Sequence, residues 1–598
     1  MENKKQAIIL SVVAIVALLS LILGATFAYF RASGNSGSST NVNVTTYTSD
    51  LLTFEIGNDI AVYADQTSFA SGKGNATGST FAKAILTANN KTNTATKNYY
   101  MYLNISNNTF TYTQNENTPE LLLTITDVSG NAITSITGLT YKTVIDGKGT
   151  SVSGFDITTK SGLLTLFDNR EITASPTKTE EWNVTVTFVN YNVNQTGNAG
   201  KSFNAKLMIQ QEEYELTLAD ICAGKTLSDC VISQYTGTQG DNALYYHNST
   251  LTNGAGDNSY RYAGGDYVLT EAGKATGATM MIGYNNSVTT ALIDFYCNGT
   301  KQYVGYASSC STSHYYLIKG DTTQYQTYNE ALNASVEKGY LTKDNVKNFV
   351  CFGSDATTCP TENLYRIIGV FNNHVKLIKY DYAKSSLLGT DGDYSTESTS
   401  NYFSGEQGES PSSNSLYYWN NAGTNTWSAS KLNTVNLNTN FTTNIGTAWA
   451  NKIATTTWKV GGGTYANLRD AVPKTAYQYE VGSSASTTTY DAKIGLMYVS
   501  DYYYSASPSA WTLVGYNSDY TKSYASAKGE NWLYGGGWDW TISRYSDYSD
   551  YAFGVYYYGN VFYDGVYFNN GVRPSFSLLS STTYVSGSGS MSDPVRIN

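Results

Sequence analysis
The sequence predicts a mainly β, multi-domain protein behind a single N-terminal apolar helix. Three observations lead there. After Lys4 and Lys5, the stretch Ala7 to Phe30 runs without a charge. From about Tyr47 to Leu216, short segments alternate apolar with polar residues between Gly, Asn and Asp clusters, the period of half-buried strands. Across the 598 residues, 53 tyrosines against 8 prolines mark a folded, strand-favouring composition.

Residues 1–33 are read as a signal or anchor helix. At about 1.5 Å per residue the apolar run is long enough to cross a hydrocarbon core of about 30 Å. The lysines before it and the polar linker 34–46 after it orient the remaining chain outward, because positive charge stays cytoplasmic. Thr26, Phe27 and Ala28 form a loose small-x-small site, so the helix is either cleaved as a signal peptide or retained as a transmembrane anchor. In both cases the protein is expected to be exported, at the cell surface or released from it, with the membrane as a partner through this helix. Lys+Arg 37 against Asp+Glu 47, net charge −10, excludes a basic nucleic-acid footprint, so no nucleic acid is expected as a partner.

Residues 47–216 are read as a β-sandwich. Ile60 to Tyr63, Tyr99 to Ile105, Leu121 to Ile125, Trp182 to Phe188 and Phe203 to Ile209 carry the period-two pattern. Residues 217–348 are read as a cysteine-containing connector with an inserted module. Within it Thr327 and Glu330 make a capping box, followed by Ala331, Leu332, Ala334 and Val336 and closed by Gly339. The six cysteines fall close together as Cys222/Cys230, Cys297/Cys310 and Cys351/Cys359, which in an exported chain indicates disulfides. Sequential pairing is the simplest of fifteen connectivities, and the spacing does not choose among them. No CxxC occurs and His247, His314 and His374 stand singly, so no metal site is expected.

Residues 349–598 are read as the ligand-binding domain. Leu364 to Phe371 and Val375 to Ile378 form a hairpin around Asn372 and Asn373, with Arg366 and Lys379 on its polar face. Short helices are expected at Ser428 to Val435 and Ile445 to Ala454, with Trp427 and Trp449 directed to a core, and strands at Ile494 to Val499 and Trp538 to Ser543. A closing series of hairpins is expected to turn at Gly559-Asn560, Asp564-Gly565 and Asn570-Gly571.

Function is concentrated in Arg544 to Asn570, where tyrosines are interleaved with Ser, Asp, Asn and Gly. Tyrosine offers a large amphipathic face at low entropic cost, and small polar residues add adaptable hydrogen bonds, the mixture of a binding paratope. The ligand-binding candidates are Tyr545, Asp547, Tyr548, Asp550, Tyr551, Tyr556, Tyr558, Asn560, Tyr563, Asp564, Tyr567 and Asn569, with Trp532, Trp538, Trp540 and Arg573 as structural supports. The competing reading makes alternate tyrosines the core face of a strand. Tyrosines fall at both parities within Val555 to Tyr563, so some rings must point away from any core.

Two resemblances add to this reading. The segment from Glu181, EWNVTVTFVNYNVNQTGNAGKSFNAKLMIQQEEYEL, with a leader ending LILGATFAYF, resembles the camelysin and TasA-like exported proteins of Gram-positive bacteria, which implies a jelly-roll-like sandwich. Some relatives are classed as metallopeptidases; this chain lacks HExxH, so that activity is not carried over. The segments YRIIGVF, WSASKLNTVNLNTNF, WLYGGGWDWTISR and GVRPSFSL resemble the C-type-lectin-like fold of formylglycine-generating enzymes, bacterial surface modules and retroelement variable proteins. This implies an α+β domain with few short helices. A ligand-facing segment precedes Arg573 and Pro574, where that fold carries an Arg-Pro signature.

Catalysis is not expected. No cysteine follows Cys359, which removes the late cysteine pair of formylglycine-generating enzymes, and no triad, phosphate loop or paired carboxylates stand out. No cofactor is expected: Trp419-Asn420-Asn421 departs from the lectin calcium signature, and Asp391, Asp393 and Ser395 lack the glycine and final Glu of a calcium loop, reading as a solvated turn. The expected function is a non-catalytic bacterial surface receptor or adhesin whose partner is a surface glycan or protein. The alternative is a structural matrix or fibre protein built on the sandwich.

Overall fold
A computed structural model describes residues 50–598 except 70–71, 90–92, 215, 283–288, 303–309, 311–312, 344, 397–414, 515–529, 536 and 557–558. The expected leader and linker, and Tyr558, lie outside these residues. Among the described residues no helix is long and apolar enough to cross a membrane. The chain is mainly β and divides into two units, 1–216 and 217–598.

In the first unit, alternating side chains build two sheets over one core. Its strands are β1 (Leu51–Ile56), β2 (Ile60–Ala64), β3 (Ala76–Thr87), β4 (Ala95–Asn108), β5 (Leu121–Asp127), β6 (Tyr141–Ile145), β7 (Ser151–Asp156), β8 (Gly162–Ala174), β9 (Thr177–Phe188) and β10 (Lys201–Gln210). One sheet runs β1-β3-β9-β5-β7-β6 and the other β2-β10-β4-β8. Each of the five alternating segments of the sequence lies in one of these strands. The alternation in β2 buries Ile60, Val62 and Ala64 while Ala61 and Tyr63 face out. Ile60 and Val62 meet Leu103, Leu121, Val184 and Phe203 in a single apolar cluster. Tyr99 donates to Glu180, which also holds Arg170 over Trp182, so even the polar groups at this core's edge are satisfied.

The second unit is organised around one antiparallel sheet. Its strands, in spatial order, are Leu244–Tyr246, Tyr260–Tyr262, Leu364–Phe371, His374–Lys379, Ser575–Ser577 and Ile494–Gly495, with Phe349–Cys351 also paired to Leu364–Phe371. Residues 244–262, which the sequence places in the connector, therefore belong to the same sheet as the hairpin 364–379. The hairpin turns at Asn372 and Asn373 with φ of 48° and 62°, the left-handed pair that a two-residue hairpin turn requires. Segment 266–346 carries a separate small core of Ile282, Leu292, Ile293, Phe295, Tyr316, Ala331 and Leu332. In it the helix Tyr328–Glu337 starts on the Thr327/Glu330 capping box and is followed by Gly339 at φ 71°. The three disulfides join Cys222 to Cys230, Cys297 to Cys310 and Cys351 to Cys359.

Several expectations are corrected. Arg366 and Lys379 are buried instead of lying on a polar face. The Arg366 guanidinium makes two 2.7 Å bonds to Asp266 and one of 2.6 Å to Asn348, and it is stacked between Phe349 and Trp532, which compensates its desolvation. Lys379 donates to the Glu362 carbonyl, and burial pushes its amine down to about 8. Asp393 and Ser395 are buried and not a solvated turn: Asp393 accepts from the backbone N–H groups of Leu432 and Asn421. The expected helices appear as a short 3₁₀ turn Trp427–Ala429 with a π-helix Leu432–Phe441, and as Thr447–Ala450; both tryptophans do enter the core. The expected strand 494–499 stops at Gly495, and Val499–Tyr504 is helical.

The physical reason for that last switch is a pair of buried carboxylates. Asp501 accepts from the Tyr498 N–H and from Lys376, capping the helix from within. Glu480, at the end of the helix Pro473–Glu480, accepts from the N–H groups of Val499 and Ser500 at 2.9 and 2.7 Å and from the Ser543 hydroxyl. These free first-turn donors outweigh the strand propensity of VSDYYY.

Burial pushes the Glu480 carboxyl up from 4.5 to about 7, against the bonds from Ser500, Ser543 and Val499. Between pH 4.5 and 7 the folded state thus binds more protons than the unfolded one. Its contribution to stability is complete below pH 4.5 and is lost as pH rises through 7, at up to about 1.4 kcal/mol per pH unit. Glu480→Gln is expected to remove this slope, read as the difference between wild-type and variant denaturant midpoints across that window. Parallel pH profiles would rule it out.

Candidate functional site
The candidate surface is built on a three-stranded meander, Asp539–Arg544, Tyr551–Val555 and Val561–Gly565. Its base is buried: Trp540, Ile542, Ala552, Phe553, Val555 and Val561 are all in the core of the unit. The Trp540 indole N–H donates to the Tyr417 carbonyl and that of Trp532 to the Tyr262 carbonyl. Arg573 bonds Asp539 through both Nε and Nη2 and donates to the Leu533 carbonyl at 2.7 Å, joining the first strand to the closing segment. Of the four residues expected as supports, Trp540 and Arg573 hold the first strand, Trp538 is half-buried against Tyr556 at 4.0 Å, and Trp532 packs instead on Arg366 of the central sheet.

The loop 545–550 carries the most exposed tyrosine of this surface and is pinned by a residue far away in sequence. The buried Asn425 amide donates to the carbonyls of Tyr545, Tyr548 and Tyr551 at 2.9, 2.6 and 2.8 Å, and its backbone N–H donates to the Ser549 carbonyl. Two N–H groups serving three carbonyls means that at least one is shared. Along the other side runs Gly461 to Gly463. Gly462 has φ 61°, and a Cβ there would collide with the Arg544 carbonyl, so only glycine passes. The Thr464/Asn467 capping box then starts the turn that brings Tyr465 onto the surface.

The rings form one continuous cluster. Tyr545 lies 5.1 Å from Tyr548, 5.1 Å from Tyr563 and 6.3 Å from Tyr465, and Tyr551 lies 5.7 Å from Tyr548 and 5.2 Å from Tyr563. Phe562 stacks on Tyr563 at 4.8 Å, and Arg469 lies 4.4 Å over Tyr465. Tyr548 is 55% exposed and Tyr567 44%, with Phe568 beside Tyr567. Gly565 permits the latter pair to fold back, since a Cβ there would meet both rings.

The twelve candidates separate into groups. Asp547, Tyr548 and Tyr567 are exposed; Asp550, Tyr551, Tyr563 and Asp564 are half-buried at the edge of the cluster. Tyr545 is only 8% exposed and forms the floor of the ring cluster. Asn560 is buried: it completes the turn in which Gly559 has φ 85°, so its role is local. Asn569 donates to Ser395, and Tyr556 packs on Trp538 and reaches the cluster through Phe562 at 6.5 Å. Of the three expected turn dipeptides, only Gly559-Asn560 contains a positive φ; Gly571 instead runs extended beside Trp538 and Trp540. Asn425, Tyr465, Arg469, Phe562 and Phe568 were missed. The two phenylalanines fall within the tyrosine-rich stretch, whereas nothing local marks Asn425.

The hydroxyls of the cluster are used differently from those of four core tyrosines. Tyr417, Tyr502, Tyr503 and Tyr504 all donate to carbonyls, of Gly389, Gly559, Leu468 and Asn253. Among the described residues, none of Tyr548, Tyr551, Tyr563 and Tyr567 spends its hydroxyl on a protein partner. Tyr551 is raised by neighbouring Tyr567, by burial and by Asp550, while burial takes Asp564 up to about 6. The Tyr551 phenol therefore keeps its proton at neutral pH and can donate it to a ligand. No cluster of three metal-ligating side chains occurs among the described residues. No family model matches the chain, and no curated protein does either.

Asn425→Ala is expected to leave carbonyls of the loop without donors, costing about 1–3 kcal/mol and making 545–550 the first site of limited proteolysis. Unchanged stability and cleavage would show the loop to be held by its own contacts. Arg573→Met strands a buried carboxylate and is expected to cost about 3–5 kcal/mol. Adding Asp539→Asn is expected to recover much of that loss, as measured by denaturant unfolding of the single and double variants; additive losses would contradict the pairing.

Proposed function
We propose that this protein is a non-catalytic surface receptor or adhesin that presents the tyrosine cluster around residues 545–567 to an external ligand. One observation carries the reading: exposed rings whose hydroxyls are uncommitted sit on a buried base, while the core tyrosines Tyr417, Tyr502, Tyr503 and Tyr504 spend theirs on carbonyls. Preorganised aromatic faces with free donors suit stacking against a sugar ring or covering by a protein partner.

Export to the cell surface is part of the same proposal. It is supported by the three disulfides, which persist in oxidising compartments, and by the uncharged apolar run that precedes a polar linker. The finer fold readings, a jelly-roll-like sandwich and a C-type-lectin-like ligand domain, rest on sequence resemblance together with the two-sheet core and the hairpin-rich α+β second unit. The sandwich would then serve as the stalk.

The test is a glycan and surface-protein array probed with the full-length protein and with Tyr548→Ser/Tyr567→Ser. The double variant is expected to lose at least about tenfold in affinity while unfolding within about 1 kcal/mol of wild type. A large stability loss would identify the rings as core, and unchanged binding would remove the surface from the function.

A further inference from the structure
The tyrosine cluster is also an acidic surface. Asp547 and Asp550 lie in the same loop as Tyr548, and their charges are felt at Tyr545 and Tyr551. Asp564 is the penultimate residue of the third strand and accepts from the neighbouring Gly565 N–H and the Asn570 side chain. None of these three carboxyl groups is in an ion pair among the described residues. Elsewhere in the unit, Asp257, Asp266, Asp501 and Asp539 each hold an arginine or lysine. The cations on adjoining elements are already engaged, Arg469 with Asp470 and Arg544 with the Gly461 carbonyl.

The surface also shows how it receives a cation. Arg469 places its guanidinium 4.4 Å over Tyr465 and 5.7 Å from Phe562, covering one end of the cluster. At the other end, the rings of Tyr548, Tyr567 and Phe568 are open and, among the described residues, the carboxylates beside them have no counter-charge. An electron-rich face with an adjacent uncompensated carboxylate attracts an ammonium or guanidinium more than a neutral sugar.

We propose that this surface recognises a basic segment of a polypeptide, with Lys or Arg side chains seated on Tyr548, Tyr551 and Tyr567 and neutralised by Asp547 and Asp550. The inference rests on the binding-surface reading above and narrows its ligand class to a protein. Full-length protein is titrated with a lysine-rich peptide, the same peptide fully acetylated, and a neutral oligosaccharide. Wild type is expected to bind the first, weaken as salt screens the charges, and ignore the acetylated form. Asp547→Asn/Asp550→Asn is expected to weaken that binding about tenfold. The control Asp355→Asn/Glu271→Gln changes net charge equally at distant exposed positions and is expected to bind as wild type.

Equal loss in the control would reduce the effect to overall negative charge and overturn the proposal, as would failure of wild type to bind the peptide. Binding of the oligosaccharide that is lost in Tyr548→Ser/Tyr567→Ser but kept in Asp547→Asn/Asp550→Asn would also overturn it, leaving the receptor reading intact. If no arrayed or added ligand binds wild type, both readings fall.

Discussion

The buried pair between Arg573 and Asp539 is the constraint on which the second unit's surface depends. Asp539 opens the meander and Arg573 opens the closing segment, so one charge-assisted contact fixes the position of both relative to the central sheet. Burying two charges is costly, and the cost is recovered only where geometry and further bonds are good. Arg573 meets that condition through Nε, Nη2 and the Leu533 carbonyl. Asp539 meets it less fully, because its second oxygen has no partner and burial holds its carboxyl up at about 6. The pair therefore serves specificity of position more than stability, which is what a platform for recognition needs.

The same logic recurs through the unit. Arg261 is held by Asp257 and lies against Phe371, Tyr477 and Tyr504, while Lys376 reaches Asp501 beside Tyr498 and Trp458. Each cation is paired with a carboxylate and wrapped in rings, the arrangement that best tolerates desolvation. Tyrosine abundance thus has two uses in one chain. Inside, rings line cations and the hydroxyls of Tyr417, Tyr502, Tyr503 and Tyr504 bond carbonyls; at the meander's edge, rings and hydroxyls are left for something else.

Local pattern made much of this legible. Period-two alternation located strands of the first unit because one face of each is buried, as in β2, and the Asn372-Asn373 turn and Thr327/Glu330 cap carry their geometry in adjacent residues. What escaped depends on partners distant in sequence. Arg366 reads as a surface residue until Asp266, 100 positions earlier, is placed beside it. VSDYYY reads as a strand until Glu480 accepts its first N–H groups. At the candidate surface, composition pointed to the right stretch but could not rank its members: Tyr545 forms the floor because Asn425, 120 residues away, draws the loop down around it.

That anchoring explains how the exposed rings can be decoupled from folding. Three loop carbonyls are tied to one buried amide, so the backbone of 545–551 is set by interactions beneath it and not by the side chains above. The floor ring Tyr545 and strand residue Phe553 supply the apolar contact, and Tyr548 and Tyr567 lie outside it. Substitution at the outer positions then changes the chemistry offered to a ligand while the scaffold stays as it is. A rigid base with free outer side chains also lowers the ordering cost of association, since loop and floor are already fixed before any partner arrives.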